Sequence, residues 1–184
     1  MKVTAAAIAI TGLISSASAQ YFSVIAARSA SPIHLRELAA DAESIWIGKE
    51  TSAYCPKEVV GKKNCPKGKY TTFAGGDKSL SMGTVVPGGQ QVYIDPKCGS
   101  VKYTIAHSAA MPEGAIRLGW SLDEGESFGT LSWRRGLLAC PVGDADDEVY
   151  KIHANIKGVK FSDDCLGFNA LTTNQTKASA WQYT

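Results

Sequence analysis

Most of this chain consists of short runs in which apolar and polar residues alternate, and turn residues separate these runs. Residues 101–105 and 149–153 alternate in this way, and no segment after residue 50 keeps the apolar spacing of a helix. Segments rich in glycine, proline and aspartate, such as residues 87–89 and 95–99, separate the runs. Alternation with a period of two is typical of half-buried strands in antiparallel sheets. The sequence therefore predicts an all-β fold in one compact antiparallel domain.

Three segments share a loose pattern of strand, polar turn and strand, and they begin about fifty residues apart. They are residues 38–47, 92–103 and 138–152. Three such units would fill a β-trefoil of this length, although an antiparallel β-sandwich accounts for the same strands. The pattern slightly favours the trefoil. Residues 35–43 contain helix-forming side chains but are few, so their conformation stays open between a helical turn and a strand.

The first nineteen residues have the pattern of a secretory signal peptide. Lys2 gives a positive start, residues 3–14 are mostly apolar, and residues 17–19 read Ala-Ser-Ala, as at a cleavage site. This run is too short to cross a membrane, and no later apolar run approaches the roughly 20 residues that a membrane helix needs. We therefore expect cleavage before Gln20, which leaves residues 20–184 as a single secreted β domain without a membrane span.

The overall charge is nearly balanced, with 19 Lys and Arg residues against 17 Asp and Glu residues. Proteins that bind nucleic acid usually carry a strong excess of basic residues, so we expect no nucleic-acid partner. Residues 55–69 depart from the balance, because one acidic residue, Glu58, stands among five lysines. These lysines are Lys57, Lys62, Lys63, Lys67 and Lys69. The segment is interpreted as a solvated loop closed by a disulfide, with a polyanion or phosphate contact as the alternative.

Five cysteines in a secreted chain predict two disulfide bonds and one unpaired thiol. Proximity along the chain favours Cys55 with Cys65 and Cys140 with Cys165, although sequence alone does not fix the pairing. Metal binding is the rival interpretation, but the chain lacks the C-x-x-C and H-x-x-x-H spacings typical of zinc sites.

Cys98 differs from the other cysteines in its surroundings. It lies in a turn rich in Asp, Pro, Lys and Gly, residues 95–99, which predicts exposure. Lys97 and Lys102 nearby favour its thiolate form. We therefore expect Cys98 to stay unpaired within the chain and to be available for a disulfide-linked dimer.

Residues 125–129 match the G-x-S-x-G pattern of a hydrolase nucleophile, with Ser127 at the centre. That motif works where a strand turns sharply into a helix, whereas residues 130–133 continue as a strand. Asp144 or Asp147 and His153 would supply the acid and the base of such a site. They follow Ser127 too closely in sequence for the usual hydrolase fold. We interpret the motif as a glycine-rich hairpin turn and expect no catalytic residues.

No metal or cofactor site is expected either. The acidic cluster at residues 144–148 lacks the glycine that a calcium loop needs at its sixth position, where Val149 stands. The histidines lie far apart and have no metal-binding spacing; they are His34, His107 and His153.

The segment at residues 28–34 is the most distinctive polar stretch of the chain. Its polar side chains form a candidate binding patch: Arg28, Ser29, Ser31 and His34. His107, Trp46 and Trp133 are further candidates, the tryptophans because their rings could hold sugar rings, although most tryptophans in a small β protein belong to the core. Asn174 opens an N-glycosylation sequon, expected in an exposed loop.

Several segments, in order along nearly the whole chain, resemble the fungal cell wall protein PhiA family. They are residues 22–34, 47–48, 54–56, 87–96, 106–109, 139–141, 164–168 and 180–183. The resemblance implies a secreted protein of the filamentous-fungal cell wall that is needed for phialide and conidium development, and it carries over no enzymatic activity. Four cysteines match those of the family, namely Cys55, Cys65, Cys140 and Cys165. Cys98 departs from the family pattern.

The sequence as a whole predicts a non-enzymatic extracellular protein that acts by binding fungal cell-wall polysaccharide or wall proteins. One alternative is a small secreted hydrolase that uses Ser127 or a pair of carboxylates. Another is a released protein that binds a host or competitor molecule.

Overall fold

The structure is a computed structural model that describes residues 20–143 and 148–184. The predicted signal peptide, residues 1–19, and most of the acidic cluster, residues 144–147, lie outside the described residues. The strands in the described part are β1 (Tyr21–Ala27), β2 (Arg36–Glu37), β3 (Ala39–Asp41), β4 (Ser44–Ile47), β5 (Ala53–Tyr54), β6 (Phe73–Gly75), β7 (Lys78–Met82), β8 (Val92–Ile94), β9 (Val101–Tyr103), β10 (Leu118–Asp123), β11 (Gly129–Trp133), β12 (Leu137–Pro141), β13 (Tyr150–Ala154), β14 (Leu166–Gln175) and β15 (Gln182–Tyr183). Between β5 and β6 the chain forms one turn of α-helix, α1 (Lys57–Val60), and a 3-10 turn (Lys62–Asn64).

Six strands close into a ring. The order around the ring is β1, β6, β7, β10, β11 and β14, and β14 then pairs with β1 again. The closing pair has the longest register, from Tyr21 opposite Gln175 to Ala27 opposite Asn169. All of these pairs are antiparallel. The predicted all-β antiparallel domain is confirmed, and its sheet is closed like a barrel.

Three further hairpins extend this sheet. They are β3–β4, β8–β9 and β12–β13, and they fall on the three strand–turn–strand segments of the sequence. β4 joins the hairpins, because Ser44 pairs with Lys102 of β9 and Ile47 pairs with Tyr150 of β13. β12 pairs with the first residues of β14, so the hairpins continue from the ring. The choice between a trefoil and a sandwich stays a prediction.

Alternation along the strands fills the core. In β1, Phe22, Val24 and Ala26 are almost fully buried, while the residues between them are half-buried. Phe22 stacks on Phe73 of β6 with ring centroids 6.1 Å apart. Burying a phenylalanine or valine side chain in this way contributes roughly 1.5–3 kcal/mol.

The C-terminal segment is part of the core. β15 pairs with β5, with Gln182 opposite Tyr54. The Tyr183 hydroxyl accepts a hydrogen bond from the Thr72 N–H at 2.8 Å. The buried Gln90 side chain accepts from the Tyr183 N–H at 2.8 Å and donates to the Tyr183 carbonyl at 3.0 Å. These bonds satisfy buried polar groups that would otherwise destabilise the fold.

Two local expectations are resolved by the backbone. Residues 35–43 form β2 and β3 rather than a helical turn, and the φ angles of Leu35 and Ala42 are 58° and 48°, which a right-handed helix excludes. Asn174 was expected in a loop, but it lies in β14 opposite Phe22 and is nevertheless exposed.

Candidate functional surface

A loop rich in lysine, residues 55–69, stands out on the surface, and we call it the basic loop. A disulfide joins its first residue, Cys55, to Cys65, and the two Cα atoms lie 5.9 Å apart. The five lysines are exposed. Ion pairs in the described part of the chain join Arg36 to Glu148 and Lys49 to Asp41, and neither pair involves a lysine of the loop.

Two open grooves flank the basic loop. The first groove, of about 420 Å³, is lined by residues that include Tyr54, Lys57, Glu58 and Trp181. The second groove, of about 700 Å³, is lined by residues that include Tyr21, Lys63, Tyr70, Val85 and Lys177. Pro66 and Lys67 line both grooves and form the ridge between them. Each groove thus combines lysine ammonium groups with two aromatic rings.

The C-terminal segment holds the basic loop in place. The Gly68 N–H donates to the Ser179 carbonyl at 2.8 Å, and the Ser179 hydroxyl donates to the Tyr70 carbonyl at 2.6 Å. Gly68 has a φ of +66°, and a Cβ there would lie 2.8 Å from the Ala53 Cβ, so glycine suits this position. Together with the disulfide, these contacts give the grooves a preformed shape.

The structure brings together three residues of the predicted polar patch. Arg28, Ser29 and His34 line an open groove of about 550 Å³ together with Arg135, which the sequence did not suggest. The Arg28 Nη1 donates to the Gly167 carbonyl at 2.7 Å, and the Arg28 N–H donates to His34 Nδ1 at 3.3 Å. This guanidinium therefore ties the turn to β14 as well as facing the groove.

Other members of the predicted binding set lie elsewhere. The hydroxyl of Ser31 is buried and has no hydrogen-bond partner among the described residues. Trp133 is buried in the core, and Trp46 is only 8% exposed, with Lys49 Nζ 4.1 Å and Lys151 Nζ 5.0 Å from its ring centroid. Neither ring has a face free for a sugar. His107 is exposed between β9 and β10.

Ser127 lies in the hairpin turn between β10 and β11, as the glycine pattern predicts. It lines a small groove of about 170 Å³ together with Glu124 and Glu126, and the described residues around that groove include no histidine. Within residues 20–143 and 148–184, no group of three His, Cys, Asp or Glu side chains is placed to hold a metal ion. No helix of the described chain is long and apolar enough to cross a membrane.

The cysteines pair in the order that proximity along the chain favours. Cys55 joins Cys65 and Cys140 joins Cys165, while Cys98 is free and exposed. The carbonyl of Cys98 accepts a hydrogen bond from His153 Nδ1 at 3.1 Å. Burial lowers the pKa of His153 below its ordinary value of 6.5, against the smaller opposing effect of that bond.

Comparison with known proteins accords with this secreted, disulfide-bonded β domain. The family model described as PhiA-like secreted protein matches residues 22–184. The chain belongs to the PhiA-like secreted protein family. It is also similar to an uncharacterized secreted protein of Arthroderma benhamiae, with 36% identity over 156 residues, which cover 79% of this chain and 76% of that protein. No solved structure matches the chain. The resemblance to the PhiA family is therefore confirmed, and the protein is a secreted one.

Sequence reasoning did not find most of the residues that accompany the basic loop in this PhiA-like chain. Tyr21 comes from β1, and Lys177 and Trp181 come from the segment between β14 and β15, so only the fold brings these three to the loop. Tyr70 directly follows the loop in sequence. The excess of lysine at residues 55–69 was the signal for the loop itself.

Proposed function

We propose that this PhiA-like protein is a non-enzymatic protein of the fungal cell wall that binds wall polymer and takes part in phialide and conidium development. The observation that carries the proposal is the ridge of Pro66 and Lys67 between two grooves, each lined by lysines and two aromatic rings. Grooves that combine apolar rings with a few polar groups are typical binding sites.

The geometry of this surface suits a long ligand. Two grooves that share a ridge offer consecutive subsites, and weak contacts repeated along a polymer add to a strong overall attachment. Aromatic rings supply contact area with little loss of side-chain freedom, since they have few rotatable bonds. A chain of sugars has both the length and the flat ring faces that such a surface takes.

Family membership supports the developmental role and the wall location, and the small Ser127 groove offers little support for hydrolysis. An activated serine needs a base within hydrogen-bond reach. The described residues around Ser127 offer only Glu124 and Glu126, which are exposed.

Fractionation of a producing hypha tests the proposal. We expect the protein to stay with washed walls and to be released by hot detergent with thiol. We also expect the purified protein to sediment with isolated walls, and pull-downs with chitin, β-glucan and mannan would then identify neutral polymers that take part. Recovery from the medium alone, with no sedimentation on walls, would contradict the proposal and favour a released protein with another target.

A further inference from the structure

The second groove has a concentrated positive charge. Lys63, Lys67 and Lys177 are all exposed on its lining, and none of its lining residues is acidic. The first groove differs, because Glu58 accompanies its lysines. Like charges gathered in a concave site raise the local concentration of an oppositely charged ligand.

The overall composition does not explain this cluster. The whole chain carries a formal net charge of only +2, so basic and acidic residues are nearly balanced across the molecule. Three lysines in one groove without a carboxylate partner among the described residues are therefore a local feature. Holding like charges together destabilises a fold slightly, and a bound anion would offset that repulsion.

An apolar face lies between these charges. Tyr21 and Tyr70 are half-buried on the groove lining, and Val85 beside them is 47% exposed. A tyrosine ring presents a flat apolar face with a polar edge, which matches the C–H face and hydroxyl rim of a sugar ring. An extended acidic peptide has no flat ring face in its backbone to pack against the tyrosine rings between the lysines.

The groove is also held in shape. Cys65 and Pro66 form one wall, and the disulfide to Cys55 fixes that wall. On the other wall the Ser179 N–H donates to the Thr72 hydroxyl at 3.1 Å, and the Ser179 hydroxyl donates to the Tyr70 carbonyl. A preformed groove loses little conformational entropy when it binds, so modest contacts suffice.

We propose that the second groove binds an anionic sugar chain, one that carries phosphate or uronate groups, with Lys63, Lys67 and Lys177 contacting the charges and Tyr21 and Tyr70 contacting the sugar rings. This inference rests on the proposed binding of wall polymer and names the class of polymer. Lysine ammonium groups act as mobile point charges, which suits anions spaced irregularly along a chain.

The test measures binding of the purified native protein to polygalacturonate, to phosphorylated mannan and to unphosphorylated mannan. We expect binding to at least one anionic polymer, weakened by added salt because screening shortens the reach of the charges. Comparison of the two anionic polymers distinguishes carboxylate from phosphate recognition. The triple variant Lys63→Gln, Lys67→Gln and Lys177→Gln should lose affinity roughly tenfold or more.

Two matched variants show whether the lysines of the groove matter beyond their net charge, and whether a tyrosine ring of the groove contacts the sugar. The triple variant Lys97→Gln, Lys157→Gln and Lys160→Gln removes the same charge from exposed positions elsewhere and should bind like the native protein. Tyr21→Leu keeps an apolar side chain in the strand but removes the ring, so it should weaken binding of the sugar polymers. Binding of polyglutamate, an anionic polymer without sugar rings, should not change.

Equal binding of mannan with and without phosphate, together with no binding of polygalacturonate, would overturn the inference. Equal losses in the two triple variants would also overturn it, as would polyglutamate bound as tightly as the sugar polymers. If the protein sediments with walls but binds neither anionic polymer, this inference is wrong while the proposed function stands. Protein that binds neither walls nor polymers would defeat the proposed function as well.

Discussion

The Tyr183 hydroxyl accepts a hydrogen bond from the Thr72 N–H at 2.8 Å, and this contact joins the C-terminal segment to the chain just before β6. The same hydroxyl lies 2.7 Å from the Ser179 hydroxyl. Burial raises the pKa of Tyr183, so the phenol stays protonated and donates as well as accepts. The basic loop runs from β5, which pairs with β15, to the segment before Thr72, so both of its flanks are bonded to the C-terminal segment. The order of the loop therefore depends on these core contacts.

Replacing Tyr183 with Phe should lower the free energy of unfolding by about 1–3 kcal/mol, because the buried Thr72 N–H loses its partner. Urea unfolding followed by fluorescence measures this change. Tyr54→Phe is the control, since Tyr54 is 54% exposed and its change should stay within about 0.5 kcal/mol. Equal effects of the two variants would show that the network contributes nothing specific.

The two disulfides should differ in their effects on stability and binding. Cys140 and Cys165 are 25 residues apart, so replacing both with serine should lower the free energy of unfolding by about 3–4 kcal/mol. Cys55 and Cys65 are 10 residues apart, and replacing them should lower it by about 2–3 kcal/mol, because the shorter loop restricts the unfolded chain less. Urea unfolding of the two double variants tests this order. Wall binding should fall when the pair at Cys55 and Cys65 is removed, and full binding by that folded variant would contradict a role for loop order.

The parts of the fold that were predictable are those set by neighbouring residues. Alternation in β1 and β13 follows from the period-two geometry of a strand, and the glycines of residues 125–129 mark a hairpin turn that the structure contains. The two disulfides join the cysteines closest in sequence, as loop-closure entropy favours.

The second groove was not predictable, because its residues come from opposite ends of the chain. Tyr21 and Lys177 line the same groove because β1 pairs antiparallel with β14, which places Tyr21 opposite Gln175. The burial of Trp46 and Trp133 depends in the same way on long-range pairing, for Trp133 lies opposite Trp120 in the ring. Composition alone does not distinguish a core tryptophan from an exposed one.

His153 should make stability depend on pH. Its pKa in the folded protein is lowered, mainly by burial and further by Lys151, so the unfolded chain binds the proton more readily. Its contribution to stability is present above about pH 6.5 and is lost as the pH falls through the folded pKa. Urea unfolding between pH 5 and 7 should show a steeper loss for the native protein than for His153→Asn, whose amide can still donate to the Cys98 carbonyl. Identical slopes would contradict this assignment.

Cys98 should be the one thiol that reacts in the native protein. A disulfide reagent such as Ellman's reagent should modify one thiol per native chain and none in Cys98→Ser, since the other four cysteines are paired. Under oxidising conditions we expect a disulfide-linked dimer on a non-reducing gel, absent in that variant. Peptide mapping that joins Cys98 to another cysteine of the same chain would contradict this prediction.

The most direct test of wall binding through the basic loop is a lysine footprint on isolated walls. Native protein is acetylated with a small amine-reactive ester in solution and after sedimentation with walls, and each lysine is quantified by mass spectrometry. We predict that Lys63, Lys67 and Lys177 are modified severalfold less on walls, while Lys157 and Lys160 are modified equally in both states. Uniform modification of all lysines on the walls, or protection confined to Lys157 and Lys160, would contradict the account.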